Sequence, residues 1–137
     1  MPTTSERRPS WMAFLTYDDP NAAYEWLQAA FGFERGDEPY RDEHGAINHG
    51  ELHLGDASVA LSGPYEPMKT VSPQSIDGRN TLFVYVYVDD VDAHHARAVA
   101  AGAEVIEPPS DQEYGDRNYR VLDQEGRPWM FGTRIGS

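Results

Sequence analysis

Cysteine is absent from this chain of 137 residues. Disulfide bonds, thiolate metal sites and a cysteine nucleophile are therefore excluded. No apolar run approaches the length of a membrane span, and the polar start of the sequence lacks the apolar segment of a signal peptide. We therefore expect a cytoplasmic protein that has no membrane partner.

Basic residues are scarce. The sequence has 11 Lys and Arg against 23 Asp and Glu, which gives a net charge of −12. Nucleic acid is therefore not expected as a partner, because Lys and Arg must neutralise its phosphates. The simplest explanation of this charge is a solvated acidic surface. The charge would also draw cationic small molecules toward a cleft that focuses the field.

The order of strand, helix, glycine and hairpin occurs twice in the sequence. We predict these elements at residues 11–17, 21–31, 32 and 47–62, and again at 81–88, 91–101, 102 and 118–133. Asp19 is the predicted N-cap of the first helix, and Pro20 is predicted at its first position. The two glycines have the same separation as Val59 and Trp129, which occupy matching positions in the two hairpins. An internal duplication explains this constant spacing.

The duplication predicts an α+β fold in which two tandem βαβββ modules form a curved mixed sheet around a concave cleft. We expect a single domain. Its predicted parts are a polar N-terminal tail (1–10), the first module (11–63), a linker or flap (64–79) and the second module (80–134). Within the second module, a short strand at 105–107 is expected to stop at Pro108 and Pro109.

Strand alternation assigns a set of large side chains to the concave side of the sheet. It comprises Met12, Phe14, Phe83, Tyr85, Tyr87, Tyr119 and Met130, with Trp11 and Tyr114 near the mouth. Aromatic rings suit stacking on a planar ligand or holding a cation. The alternative is that these rings fill the core.

Several segments of the sequence resemble the vicinal oxygen chelate superfamily, which includes glyoxalase I, extradiol dioxygenases and bleomycin resistance proteins. Tyr-Asp-Asp-Pro precedes the first predicted helix, and Asp-Gln-Glu-Gly-Arg-Pro-Trp-Met-Phe-Gly closes the second module at 123–132. The stretch from His49 to Asp56 is similar to a strand of the PhnB-like or bleomycin-resistance-like subgroup. The resemblance implies the glyoxalase/bleomycin resistance fold, and a homodimer in which two chains form each cleft.

The resemblance also bears on metal binding. Metal-dependent members carry a His, Gln or Glu ligand at each of four inward positions. These positions fall on Met12, Ala60, Phe83 and Met130 in this sequence. Hard and borderline divalent ions require oxygen or imidazole ligands. We therefore expect no metal and no other cofactor.

Polar residues offer a few further candidates. His49, Glu51 and His53 share one face of a predicted strand, so they could form an acid–base pair, a metal site or merely a solvated face. His94 and the adjacent His95 are predicted to lie at the surface or in an interface. Arg117 could bind a ligand carboxylate or could tie its loop to Asp111 or Glu113.

These observations favour a metal-independent protein that sequesters a planar or cationic small molecule, such as an antibiotic, without catalysis. The first alternative is a lyase or isomerase of the same superfamily that uses His49 and Glu51 as acid and base, or an unrecognised metal site. A second alternative is a regulatory module without a small ligand.

Overall fold

The computed structural model describes residues 10–136. The predicted N-terminal tail, apart from Ser10, lies outside the described residues. The chain forms β1 (Ala13–Thr16), α1 (Pro20–Phe31), β2 (Glu34–Arg35), β3 (Tyr40–Arg41), β4 (Ile47–Leu54), β5 (Ala57–Ser62), β6 (Val84–Tyr87), α2 (Val91–Ala100), β7 (Glu104–Asp111), β8 (Asp116–Leu122) and β9 (Pro128–Arg134). Two short 3-10 turns, Glu66–Met68 and Pro73–Ile76, interrupt the segment between β5 and β6.

The duplication is visible in the strand order of two separate sheets. The first sheet has the order β1-β5-β4-β2, with β3 also paired to β4, and the second has the order β6-β9-β8-β7. In each sheet the strand before the helix runs parallel to the last strand of its own module, and the other pairs are antiparallel. The predicted α+β fold of two tandem modules is therefore confirmed.

Both helices start where an aspartate can cap them. Asp19 accepts a hydrogen bond from the backbone N–H of Ala22 at 3.0 Å, and Pro20 occupies the first turn of α1. Asp90 accepts from the backbone N–H of Ala93 at 3.1 Å in the same way. An acceptor at this position satisfies a helix N–H that has no partner within the helix. The cap and proline of α1 were predicted from the sequence.

Strand β7 differs from the prediction. The expected strand at 105–107 was too short, because β7 continues through Pro108 and Pro109 to Asp111. Its pairing with β8 shifts register on both sides of Glu107. Proline is tolerated there because β7 lies at the edge of its sheet, where an N–H can be lost at a bulge without breaking the ladder.

The two modules pack through their helix sides. Helix-facing residues of both sheets join one buried core, and the α1 residue Phe31 lies at the junction. The Phe31 ring is 5.5 Å from Trp129 and 4.7 Å from Phe131, which both belong to β9 of the second module. Because the helix sides face each other, the opposite faces of the two sheets turn outward in different directions. These outward faces are the ones that were predicted to form the concave, inward side.

The hairpin turn between β8 and β9 clasps the first module. Asp123 is 6% exposed and its Oδ2 accepts from the Tyr17 hydroxyl at 2.6 Å and from Trp129 Nε1 at 3.1 Å. Glu125 accepts from two backbone N–H groups just before α1, each at 2.8 Å. Burial, reinforced by the charge of Asp123, raises the pKa of Tyr17, so its hydroxyl remains a donor.

A second inter-module contact involves His94, which was predicted to lie at the surface or in an interface. The structure places it half-buried between the two modules. Its Nε2 lies 2.8 Å from the carbonyl oxygen of Phe31, and its Nδ1 lies 2.7 Å from the Tyr119 hydroxyl. A carbonyl can only accept, so Nε2 carries the hydrogen and the Tyr119 hydroxyl donates to Nδ1. The neutral ring thereby makes hydrogen bonds on both sides.

Two candidate binding faces

The outward side of the first sheet, called here the first face, carries a histidine–glutamate pair between aromatic rings. His49 Nε2 lies 2.9 Å from Glu51 Oε2, and both side chains are partly buried. The ring of Phe14, which is 65% exposed, is centred 5.6 Å from His49, and the Tyr40 ring is 6.3 Å away. An imidazole and a carboxylate at this distance can pass a proton between them.

His53, which was considered with this pair, makes a different contact. Its Nδ1 lies 2.7 Å from the Ser58 hydroxyl. Within residues 10–136, no group of three or more His, Asp or Glu side chains is placed to hold a metal ion. The first face therefore presents a proton-binding pair rather than a converging ligand set.

The outward side of the second sheet, called the second face, is built around Asp116. This side chain is 2% exposed, and its Oδ2 accepts hydrogen bonds from the hydroxyls of Tyr85 and Tyr87, each at 2.7 Å. The hydrogen bond from Tyr85 is the main cause that holds the pKa of Asp116 below its usual range. Burial raises the pKa of Tyr85, so at neutral pH the phenol is protonated and the carboxylate is charged.

A chain of hydrogen bonds extends this arrangement to Tyr114. Asn118 Nδ2 donates to the Tyr85 hydroxyl at 3.0 Å and to the Tyr114 hydroxyl at 2.9 Å. Gln112 Nε2 donates to Asn118 Oδ1 at 3.1 Å, which fixes the orientation of the amide. The three tyrosines are thus held by one connected network.

Gly132 leaves the space in which Tyr85 lies. A Cβ atom at position 132 would be 2.3 Å from the Tyr85 hydroxyl and 3.0 Å from Asn118 Cβ. Any larger residue would displace the ring, so this glycine is part of the second face.

Two residues predicted for the cleft lie on the helix side instead. Tyr119 is 1% exposed, belongs to the core and bonds to His94, so its predicted inward position is wrong. Arg117 contacts Asp92 of α2 at 3.2 Å and Asp111 at 3.0 Å. Arg117 therefore ties its loop down, which was the other predicted role, and Asp92 is a partner that the sequence did not suggest.

Asp116, Asn118 and Arg134 are site residues that the sequence analysis missed. The β8–β9 register places Asp116 opposite Arg134 and Asn118 opposite Gly132. Opposite residues in an antiparallel pair share a face. Counting back across the hairpin turn from Gly132 would therefore have assigned Asn118 and Asp116 to the second face.

The four positions that correspond to superfamily metal ligands offer no nitrogen or oxygen side-chain donor. Ala60 and Met130 are buried beneath the outward faces, Met12 is half-buried, and Phe83, 49% exposed, directly precedes β6. These residues do not fit a divalent metal ion.

A cavity of about 280 Å³ opens between the edges of the two modules, where β1 and β5 approach β6. Its lining includes Trp11 and Tyr85 from the predicted set, together with Ala13, Val59 and Val84. Trp11 is 75% exposed at its rim.

Comparison with known proteins gives the family. The family model of the Glyoxalase/Bleomycin resistance protein/Dioxygenase superfamily matches residues 10–131. The chain belongs to this superfamily. It is 33% identical over 131 residues to an uncharacterized protein of Mycobacterium bovis, covering 93% of this chain and 84% of that protein.

Solved structures of the superfamily fold agree with the architecture. TioX from Micromonospora sp. ML1 is 35% identical, with a TM-score of 0.72 over 92% of this chain and 99% of TioX. TnmS3 from Streptomyces sp. CB03234, described as an antibiotic binding protein, is 21% identical, with a TM-score of 0.68 over 91% and 96% of the two chains. In residues 10–136 neither helix has the length and apolar character needed to cross a bilayer.

Proposed function

We propose that this superfamily member binds and sequesters a planar or cationic small molecule, such as an antibiotic, in the cytoplasm and without a metal ion. The observation that carries this proposal is the second face, where Tyr85, Tyr87 and Tyr114 are fixed around the buried carboxylate of Asp116. Three phenols held by one network are suited to ligand recognition rather than to filling a dry core.

Preorganisation supports this function. Tyr85 and Tyr87 donate their hydroxyl hydrogens to Asp116, so their rings are held before a ligand arrives. Each ring contact with a planar or cationic ligand contributes about 0.5–2 kcal/mol to binding. Because the rings are already held, little of this free energy is offset by lost side-chain entropy. The fold likeness to TnmS3, an antibiotic binding protein, is compatible with this role.

We also propose that the protein is a homodimer. The exposed rings include Phe14 on the first face and Tyr87 on the second. Because the two faces turn away from each other, an enclosed cleft needs a wall from another chain, and the first face of a second copy supplies it. Sedimentation analysis should give a dimer for the native chain and a monomer for Phe14→Glu, while a native monomer would contradict the proposal.

A thermal-shift experiment tests binding. A panel of planar aromatic and cationic glycopeptide compounds should contain ligands that raise the melting temperature, because a ligand that binds only the native state stabilises it. Tyr85→Ala should abolish the rise. His44→Ala should leave it intact, because His44 is an exposed loop residue. A panel that raises the midpoint equally in Tyr85→Ala would show that binding occurs elsewhere.

The histidine–glutamate pair favours a second candidate function, a lyase or isomerase. The 2.9 Å contact gives His49 the orientation that a general base needs, and Glu51 is only 16% exposed. Turnover of a candidate substrate should then be lost in His49→Asn but retained in His53→Asn, which leaves the pair intact. Equal turnover in native protein and His49→Asn would exclude this function.

A further inference from the structure

The buried carboxylate of the second face is fully bonded on one oxygen only. Asp116 Oδ2 receives two hydrogen bonds, whereas among the described residues no N–H or O–H group donates a hydrogen bond to Oδ1. Arg134 Nε lies 3.3 Å from Oδ1, but its N–H is not aimed at that oxygen. The contact is an ion pair without a hydrogen bond.

Arg134 is weakly held in this position. Its side chain is 60% exposed. It also donates a long hydrogen bond of 3.4 Å to the Tyr87 hydroxyl and makes a cation–π contact at 5.9 Å from the centre of that ring. Only the Arg134 end of this pair is exposed, but there water screens the guanidinium, and the long side chain loses conformational freedom when it is held in one position. A charge-assisted hydrogen bond to a carboxylate is considerably stronger.

A ligand cation could therefore make a better contact than Arg134 does. An ammonium or protonated ring nitrogen aimed at Oδ1 would complete the hydrogen bonding of Asp116. The rings of Tyr85, Tyr87 and Tyr114 would lie beside the aromatic part of such a ligand. The net charge of −12 would favour its approach.

We propose that Arg134 occupies the place of a ligand cation, and that an aromatic compound carrying an ammonium group or a protonated ring nitrogen exchanges with it at Asp116 Oδ1. This inference rests on the proposed function and adds a specificity-determining residue to it. Asp116 selects cationic over neutral planar ligands, and Arg134 competes with them.

Fluorescence titration with proflavine, a planar cation with N–H donors, tests the exchange. Acridine, its neutral counterpart at mildly alkaline pH, serves as the second probe. Arg134→Ala should bind proflavine about tenfold more tightly than the native chain, because the competing cation is gone. Arg35→Ala makes the same change in net charge on the first module and should bind as the native chain does. Its partner Glu25 lies 3.7 Å away on the exposed surface.

Asp116→Asn should weaken proflavine binding about tenfold and leave acridine binding unchanged. Asp92→Asn is the matched control, since Asp92 pairs with Arg117 on the helix side. If Asp116→Asn fails to fold, the Arg134→Ala result alone decides. The exchange is wrong if Arg134→Ala binds proflavine no more tightly than Arg35→Ala.

The two proposals fail in different ways. Binding of both probes without dependence on Asp116 or Arg134 would overturn the exchange and leave the proposed function standing. Binding of neither probe by the native chain would overturn the exchange for planar cations, and an unresponsive thermal-shift panel would then remove the proposed function as well.

Discussion

Gly132 lies beneath Tyr85 on the second face, and replacing it with alanine would introduce a methyl group where there is no room. The added Cβ would lie 2.3 Å from the Tyr85 hydroxyl, whereas ordinary contact begins near 3.4 Å. The hydroxyl must therefore retreat by about 1 Å. An O–H···O bond tolerates only ~0.5 Å of lengthening, so we expect Tyr85 to lose its hydrogen bond to Asp116.

The cost follows from two contributions. A lost hydrogen bond to a charged acceptor costs about 1.5–3 kcal/mol, and overpacking typically costs about 1–3 kcal/mol. Tyr87 continues to donate to Asp116, so we expect a total of about 2–4 kcal/mol. Urea unfolding of Gly132→Ala measures this change. Gly63→Ala is the matched control, because its Cβ would meet nothing closer than 3.9 Å.

A double-mutant cycle with Tyr85→Phe separates the proposed cause from general crowding. Phenylalanine lacks the hydroxyl, so the nearest atoms to the new Cβ become the ring carbon and Asn118 Cβ, each at 3.0 Å. Gly132→Ala should then cost at least about 1 kcal/mol less in the Tyr85→Phe background than in the native one. An equal cost in both backgrounds would refute the reasoning.

Three other predictions concern the inter-module contacts and the metal. Burial lowers the pKa of His94, so the unfolded chain takes up the proton first. The melting temperature should therefore be highest above about pH 6.5 and should fall as the pH drops below this value. His94→Gln should make this decline shallower, whereas His44→Gln should leave it unchanged. Asp123→Ala leaves several buried donors without an acceptor and should cost ~3 kcal/mol or more in urea unfolding, while retention of native stability would show that the clasp is unimportant. Chelator treatment should leave the melting temperature unchanged, and a stoichiometric metal in elemental analysis would contradict the assignment of Met12 and Met130 as non-ligands.

The fold was largely predictable because repetition and helix caps are local signals. The spacing of the glycines and the Asp19–Pro20 cap gave the modules and the start of α1, and alternation placed Tyr85 and Tyr87 on the outward face. Boundaries between the predicted tail, modules and linker remain predictions.

The site was less predictable because it depends on register and on contacts distant in sequence. Tyr119 was assigned to the wrong face because its strand has polar and apolar residues on both sides, so alternation alone does not show which side faces the helix. His94 looked like a surface residue because its two partners come from another module and another strand. No local sequence pattern indicates that Asp116 accepts hydrogen bonds from two tyrosine hydroxyls of β6.

The clasp formed by Asp123, Glu125 and Trp129 has a consequence for how such proteins are recognised. These residues belong to the closing segment that resembles the superfamily. Asp123 and Glu125 accept hydrogen bonds from the first module, and the Trp129 ring packs against Phe31 and Phe33 of that module. A sequence search guided by that segment therefore detects the contact that joins the two duplicated modules, whichever residues the outward faces carry. Substitutions on the second face, at positions such as 85, 116 and 134, leave that joint unchanged and so do not erase the signal of common ancestry.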